Sequence, residues 1–414
     1  MADLLFLSHR IPYPPDKGEK IRAFHILRHL ARRHRIHLGC LIDEPEDWRH
    51  VSALRELCAD LACFPLHRRW RRLAALTKMR PGRALTLDYF HHHRLARWVD
   101  DKVAGGVRDV FVYSSAMAPY VMGRRVMGRP GGRRVLDMVD IDSEKFRAYA
   151  EASSWPGRWI HAREARTLLA LERAAAADFD QTLLVSAAEC AHFAALAPEI
   201  GGRVAALANG VDLARFAPDL GLPNPYPGAL PAIVFTGTMD YRPNEDAVVW
   251  FAEEVLPALR AVAADGMAPD FYIVGARPGR KLRQLARRPG VVVTGRVADT
   301  RPYLAHAALV VAPLRIARGI QNKVLEAMAM ARPVLATPAA FEGITATPGR
   351  DLLVAEDVPA MIRAARAVLA GRYPGLGHAA RAAMLRGYAW DETLAPLDAM
   401  FATAPAAALG EALA

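Results

Sequence analysis

The chain has 414 residues and carries 54 Lys and Arg against 43 Asp and Glu, a formal net charge of +11. With 52% hydrophobic and 23% charged residues it is long enough for two or three domains with proper cores, which excludes a disordered or collagen-like chain. No apolar run reaches the roughly 18 residues that a membrane-spanning helix needs, and the four cysteines show no CxxC spacing, so neither a disulfide framework nor a zinc site is expected.

In chain order, Met1 to His9 lacks a basic leader and reads as a first buried strand, so a cytoplasmic location is expected. Short runs rich in Val, Leu and Ile then alternate with longer helical patterns, the signature of βαβ units and parallel sheets. The spacing predicts strands at 4–8, 36–41, 61–64, 110–113, 135–138, 182–185 and 204–207, with a long Arg- and Ala-rich helix over 155–177. The Pro- and Gly-rich stretch 218–231 reads as a connector or surface loop. A second series follows, with strands at 233–236, 271–274, 291–294, 309–312, 334–336 and 352–354, and helices at 357–370, 378–388 and 391–402. The pattern predicts two doubly wound α/β domains meeting near Asn209, with a cleft between the carboxyl ends of their sheets.

Of the excess charge, +9 falls on residues 1–208 and +2 on the remainder. Its densest piece runs from Arg68 to Arg83, and no acidic residue lies between Asp60 and Asp88. Read as a helix, Trp70, Leu73 and Leu76 or Thr77 form a narrow apolar stripe between basic flanks. That suits an anionic membrane surface through residues 67–83, or a solvated helix docked by the same stripe. No nucleic-acid-binding motif accompanies the charge, so no nucleic acid partner is expected.

The strongest site signal follows the strand at 309–312. A helix starting near Gly319 would direct free amides and the positive end of its dipole at an anion, and Gly319 would let the backbone approach closely. Arg318 and Lys323 add two cations, so phosphate or diphosphate is the expected guest. Glu326 lies seven residues beyond Gly319, on the same face of such a helix and about 10 Å along it. A diphosphate at the helix start would place its ribose beside that carboxylate.

These residues carry a resemblance. The run Gly319-Ile320-Gln321-Asn322-Lys323 through Glu326 to Pro333 resembles the nucleotide-sugar signature of family-4 glycosyltransferases, retaining enzymes of GT-B fold. Asn209-Gly-Val-Asp212 resembles the interdomain motif. Val234 to Asn244, with Gly237 and Arg242, resembles the first strand and phosphate loop of the donor domain. Val291 to Val297, with Gly295, resembles the loop whose backbone reads the base, and Tyr388-Ala-Trp390-Asp resembles the start of the last helix. In the N-terminal half, Arg10 to Arg22 (with Lys17 and Gly18), Leu136 to Lys145 (with Asp137 and Asp140) and Glu172 to Ser186 look like the sugar transferases of exosortase (PEP-CTERM) exopolysaccharide loci. The chain departs from the family where Arg318 stands in place of the usual Glu, where Gly18-Glu19 replaces a Gly pair, and where Ser114 and Ser115 replace a His.

The resemblance implies an acceptor-side domain at 1–208, a donor domain at 209–388, and a helix at 389–414 that crosses back. It implies transfer of a sugar from a nucleoside diphosphate sugar to a glycan or lipid-linked glycan, with no metal and no cofactor, at the inner membrane surface. Arg242, Lys323, Arg318 and Asp140 would act on the reacting groups. Gly237, Gly295, Val297, Gly319, Ile320, Gln321, Asn322 and Glu326 would hold the donor, and Lys17, Gly18 and Asp137 would serve the acceptor or phosphate. A 2-epimerase of this fold, or a non-catalytic sugar-nucleotide binder, stays open. Asp140-Ile-Asp142 spells a metal-binding DxD, but it lies away from the expected diphosphate, and ion pairing with Lys145 or Arg147 is the alternative. His91-His92-His93 reads as a solvated face.

Overall fold

A computed structural model describes residues 1–67, 82–123, 132–228, 230–261, 267–317 and 319–402. Most of the basic stretch 67–83, and Arg318, lie outside the described residues. The chain divides into two compact units. The first comprises Met1–Ala208 together with the residues from Leu394 onward, and the second is Asn209–Thr393.

The first unit holds a seven-stranded parallel sheet: β1 (Ala2–Ser8), β2 (His34–Ile42), β3 (Asp60–Pro65), β4 (Asp109–Tyr113), β5 (Arg134–Val139), β6 (Gln181–Leu184) and β7 (Val204–Ala206). Its order is β3-β2-β1-β4-β5-β6-β7. The helices that matter below are α1 (Gly18–Leu30), α2 (Asp142–Glu151) and α3 (Gly157–Asp178). The second sheet runs β10-β9-β8-β11-β12-β13, from β8 (Ala232–Thr236), β9 (Asp270–Val274), β10 (Val291–Gly295), β11 (Leu309–Ala312), β12 (Val334–Ala336) and β13 (Leu353–Val354). Its helices include α4 (Arg242–Trp250), α5 (Asn322–Ala329) and α6 (Leu376–Gly387), and α7 (Trp390–Phe401) ends the described chain.

Each expected strand is present, with ends within two residues of the expected ones. The central strands are continuous apolar runs because helices cover both faces: Leu4 to Leu7, Val110 to Val112 and Ile233 to Phe235 are fully buried. Phe6 stacks on Phe111 across the paired β1 and β4, with ring centroids 5.1 Å apart. The strand β2 starts earlier than its apolar run suggests, since polar His34 and Arg35 still pair with Ala2 and Asp3.

In both sheets the strand order reverses beside the first strand, between β1 and β4 and between β8 and β11. Chains leaving such a reversal diverge to opposite faces and open a crevice at the carboxyl ends of the strands, where sheets of this kind take ligands.

Candidate functional site

At the reversal in the second sheet, β8 ends at Thr236 and the chain turns through Gly237 into α4. The turn is tight: Gly237 N donates to Val274 O at 3.1 Å, and a Cβ on Gly275 would meet the Gly237 carbonyl at 1.6 Å. A Cβ on Gly237 would meet Asn244 Nδ2 at 2.7 Å, because that side chain folds back over the turn. Asn244, buried near the start of α4, donates through Nδ2 to Thr238 O at 2.9 Å and accepts at Oδ1 from Lys323 Nζ at 2.6 Å.

Lys323 lies in the first turn of α5, its ammonium also 4.5 Å from the centre of the Phe235 ring. Burial lowers its pKa to about 7 against the opposing charge of Glu326. Burial likewise pushes Glu326 up to about 7, opposed by Lys323 and Arg215. These two groups, three residues apart on one helix face, stay ionisable near neutrality.

The helix begins at Asn322, three residues later than the sequence suggests. Gly319 takes a left-handed φ of +66° and Gln321 is extended (φ −87°, ψ 102°), which holds 319–321 outside the helix. Gly319 and Glu326 therefore share no helix face; Asn322, Lys323 and Glu326 do. Ile320 is buried, and Gln321 Nε2 donates to Gly319 O at 3.2 Å. Asn322 Oδ1 accepts from Asn209 Nδ2 at 3.0 Å, which ties the Asn209-Gly-Val-Asp212 segment to the start of α5. Arg381 of α6 binds the carbonyls of Phe216 and Leu213 and that of Ala329 in α5, so the same segment is held at both ends of the helix.

Arg242 is exposed at the first position of α4. Gly295 ends the edge strand β10 with φ +69°, and Val297 is half-buried just beyond it. The strand β10 lies two places from β8, about 10 Å across the sheet. The structure thus ties Lys323 through Asn244 to the turn that follows Gly237, with Asn322 and Glu326 on the same helix, and sets Gly295 and Val297 further along the same sheet. Asn244 was missed as a functional residue, although it stands in the quoted Arg242-Pro-Asn run; a neutral amide carries no charge pattern to mark it.

In the first unit Asp137 is fully buried and takes Arg22 Nε at 2.7 Å and Nη2 at 3.1 Å, with both side chains wholly out of solvent. Its place in the acceptor loop is therefore corrected: the carboxylate is spent inside the core. Lys17 donates to Glu44 at 2.6 Å, and Gly18 is exposed at the start of α1. Asp140 follows β5 and is pushed up to about 6, first by burial and further by Glu189 and Asp142, against Lys145 and Arg22. Asp142 pairs with Lys145 at 2.9 Å. Among the described residues no group of three or more His, Cys, Asp or Glu side chains is placed to hold a metal ion.

Non-glycine residues take left-handed φ beside the ends of β4 and β5, Ser114 at +82° and Val139 at +68°, a strain that collects at functional sites. His9, missed in the sequence, follows β1 and stacks on Tyr113 with centroids 5.7 Å apart; burial, and then Arg10, lower its pKa to about 4. The expected solvated triplet His91–His93 is corrected at its centre, since His92 is buried and stacked 4.9 Å from Phe64.

Residues 230–371 match the family model of glycosyl transferases group 1. No curated protein matches the chain. Among solved structures it is similar to a sucrose-phosphate synthase from Thermosynechococcus elongatus, at 17% identity over 97% of this chain and 98% of that one, with a TM-score of 0.68. It is also similar to HepE from Anabaena in complex with UDP and glucose (13% identity, 96% and 99% covered, TM-score 0.64). A third is WaaG, a glycosyltransferase involved in lipopolysaccharide biosynthesis (16%, 96% and 99%, TM-score 0.63). The fold is GT-B, and the group 1 domain in the second unit makes the chain an enzyme of the glycosyltransferase class.

Proposed function

We propose that this enzyme moves a sugar from a nucleoside diphosphate sugar to an acceptor hydroxyl, with retention, and that the second unit binds the donor. The observation that carries the reading is the Lys323 ammonium in the first turn of α5, linked by Asn244 to the turn after β8, with Glu326 three residues further along the same helix face. A diphosphate at this helix start meets the first amides of α5, its dipole and the Lys323 ammonium. Arg242 and Arg318 supply further cations. Glu326 accepts the ribose hydroxyl protons, and the Gly295–Val297 backbone holds the base.

The chemistry asked of these groups is to stabilise the departing diphosphate. Removing one preorganised contact of that kind costs about 3–4 kcal/mol in the transition state. The leaving phosphate oxygen helps deprotonate the acceptor on the same face of the sugar, so no enzyme nucleophile is required. No metal enters this scheme, because the cations are side chains. The first unit takes the acceptor, with Asp140 and His9 beside its strand ends. A glycan or lipid-linked glycan made for export is the acceptor class, and residues 67–83 add a basic contact with the inner membrane surface.

UDP and UDP-glucose were found in structures of the HepE relative, so uridine donors are the first to test. Calorimetric titration with UDP, GDP, ADP and TDP and their sugars, in EDTA, should give saturable binding to one base series. The anomeric configuration of the product, read by NMR, should match that of the donor. Absence of nucleotide binding by a folded chain would defeat the reading, and binding only with Mg²⁺ would overturn its metal-free part.

A further inference from the structure

A second surface of the first unit combines exposed indoles with exposed arginines. The helices α2 and α3 pack along each other and are joined by residues 152–156. At this joint Trp155 is 83% exposed and Trp159 is 54% exposed; Trp155 is the most exposed large apolar side chain among the described residues. An isolated exposed Leu would be ordinary, but two indoles flanking one helix start are not.

The surroundings are cationic. Arg158 and Arg166 are exposed two helical turns apart on one face of α3, and Arg147 of α2 is exposed across an open groove of about 390 Å³ that all three line. Neither Arg158 nor Arg166 has an ion-pair partner among the described residues. Of the carboxylates lining this groove, Glu144 is buried and engaged by Arg147 and His192, which leaves Glu151 as the exposed one.

Indoles beside unpaired guanidinium groups match the chemistry of a bilayer boundary. The rings settle at the level where headgroups meet acyl chains, and guanidinium forks bind phosphate oxygens. A second copy of the chain fits less well, because a two-fold contact through this patch would set the arginines against themselves. We infer that the tip of the α2–α3 hairpin docks on an anionic membrane, with Trp155 and Trp159 in the interface and Arg158 and Arg166 on lipid phosphates. This surface is separate from the donor-binding residues and does not depend on that reading.

The test is co-sedimentation of the full chain with vesicles of phosphatidylcholine alone or mixed with phosphatidylglycerol. The wild type should bind the anionic vesicles and not the neutral ones. Arg158→Gln and Arg166→Gln should each weaken binding roughly fivefold, and Trp155→Ala with Trp159→Ala about tenfold. Because these side chains are exposed, the variants should melt with the wild type, which separates lost docking from lost folding. Quenching of tryptophan emission by brominated lipid should fall in the double Trp variant. A wild type left in the supernatant, equal binding to neutral vesicles, or variants that bind like the wild type would overturn the proposal. So would a Trp155-dependent dimer without vesicle binding, which would assign the patch to a second copy.

Discussion

Lys323 and Glu326 set the pH dependence expected of donor binding. Both have been moved to about 7, from opposite directions, and the first cause in each is burial. As pH rises through 7 Lys323 loses its proton and its hold on phosphate, so affinity should fall on the alkaline side. As pH falls through 7 Glu326 gains a proton and ceases to accept from ribose, so affinity should fall on the acid side too. A bound diphosphate raises the pKa of Lys323, so binding just above neutrality should take up a proton, visible by calorimetry in buffers of different ionisation enthalpy. Lys323→Met should abolish that uptake and the alkaline limb and cost about 2 kcal/mol of affinity. Glu326→Gln should remove the acid limb without lowering the ligand-free melting temperature, since burial already disfavours its charge. Affinity independent of pH would take both residues out of the donor site. Charge and spacing made these two legible in the sequence. Asn244 was not, because its role comes from a fold-back over Gly237 that only the three-dimensional turn creates.

At the scale of elements, the strands were readable because burial on both faces leaves unbroken apolar runs, whereas the start of α5 was not. Helix periodicity extends smoothly back through Ile320 to Gly319, and the left-handed φ of Gly319 with the extended Gln321 shows that the helix starts later. Asp137 misled for a related reason: a carboxylate at a strand end looks available until Arg22 is seen to reach it from α1. That pair makes a sharp stability test. Arg22→Ala would leave Asp137 buried and uncompensated, at a cost of about 3–5 kcal/mol by urea unfolding. Arg22→Leu combined with Asp137→Leu should cost less than either single change, and equal losses would mean that the pair is not the cause. In the second unit Gly275→Ala forces a methyl against the carbonyl of Gly237. It should destabilise by about 3 kcal/mol and blunt the response to nucleotide, because that turn leads into Asn244. A variant with unchanged stability and binding would show that β9 yields at no cost.

The two units repeat one topology, each with its strand reversal beside its first strand, yet they differ in charge and in what lies at the reversal. The second has the helix start, the ammonium and the glycine turn suited to a diphosphate. The first carries most of the positive charge and has, at its strand ends, strained backbone at Ser114 and Val139, the partly buried acid Asp140 and the histidine His9. That division was visible in the sequence as motifs gathered after residue 208 and basic residues before it. Function divided this way predicts an uneven response to nucleotide alone. At a free concentration of about 100 Kd, the nucleotide should stabilise the state that binds it by about 2.7 kcal/mol. Hydrogen exchange of the full chain should slow across 236–245 and 319–330, where the turn after β8 and the start of α5 lie. The strands β1, β4 and β5, whose hydrogen bonds involve no donor residue, should exchange at their ligand-free rates. Slowing confined to the first unit would place the nucleotide on the wrong sheet and, with it, Lys323 and Glu326 outside the site. Slowing of both would mean that nucleotide binding is coupled to the first sheet, and the Arg22 and Asp137 variants could then be used to measure how strongly.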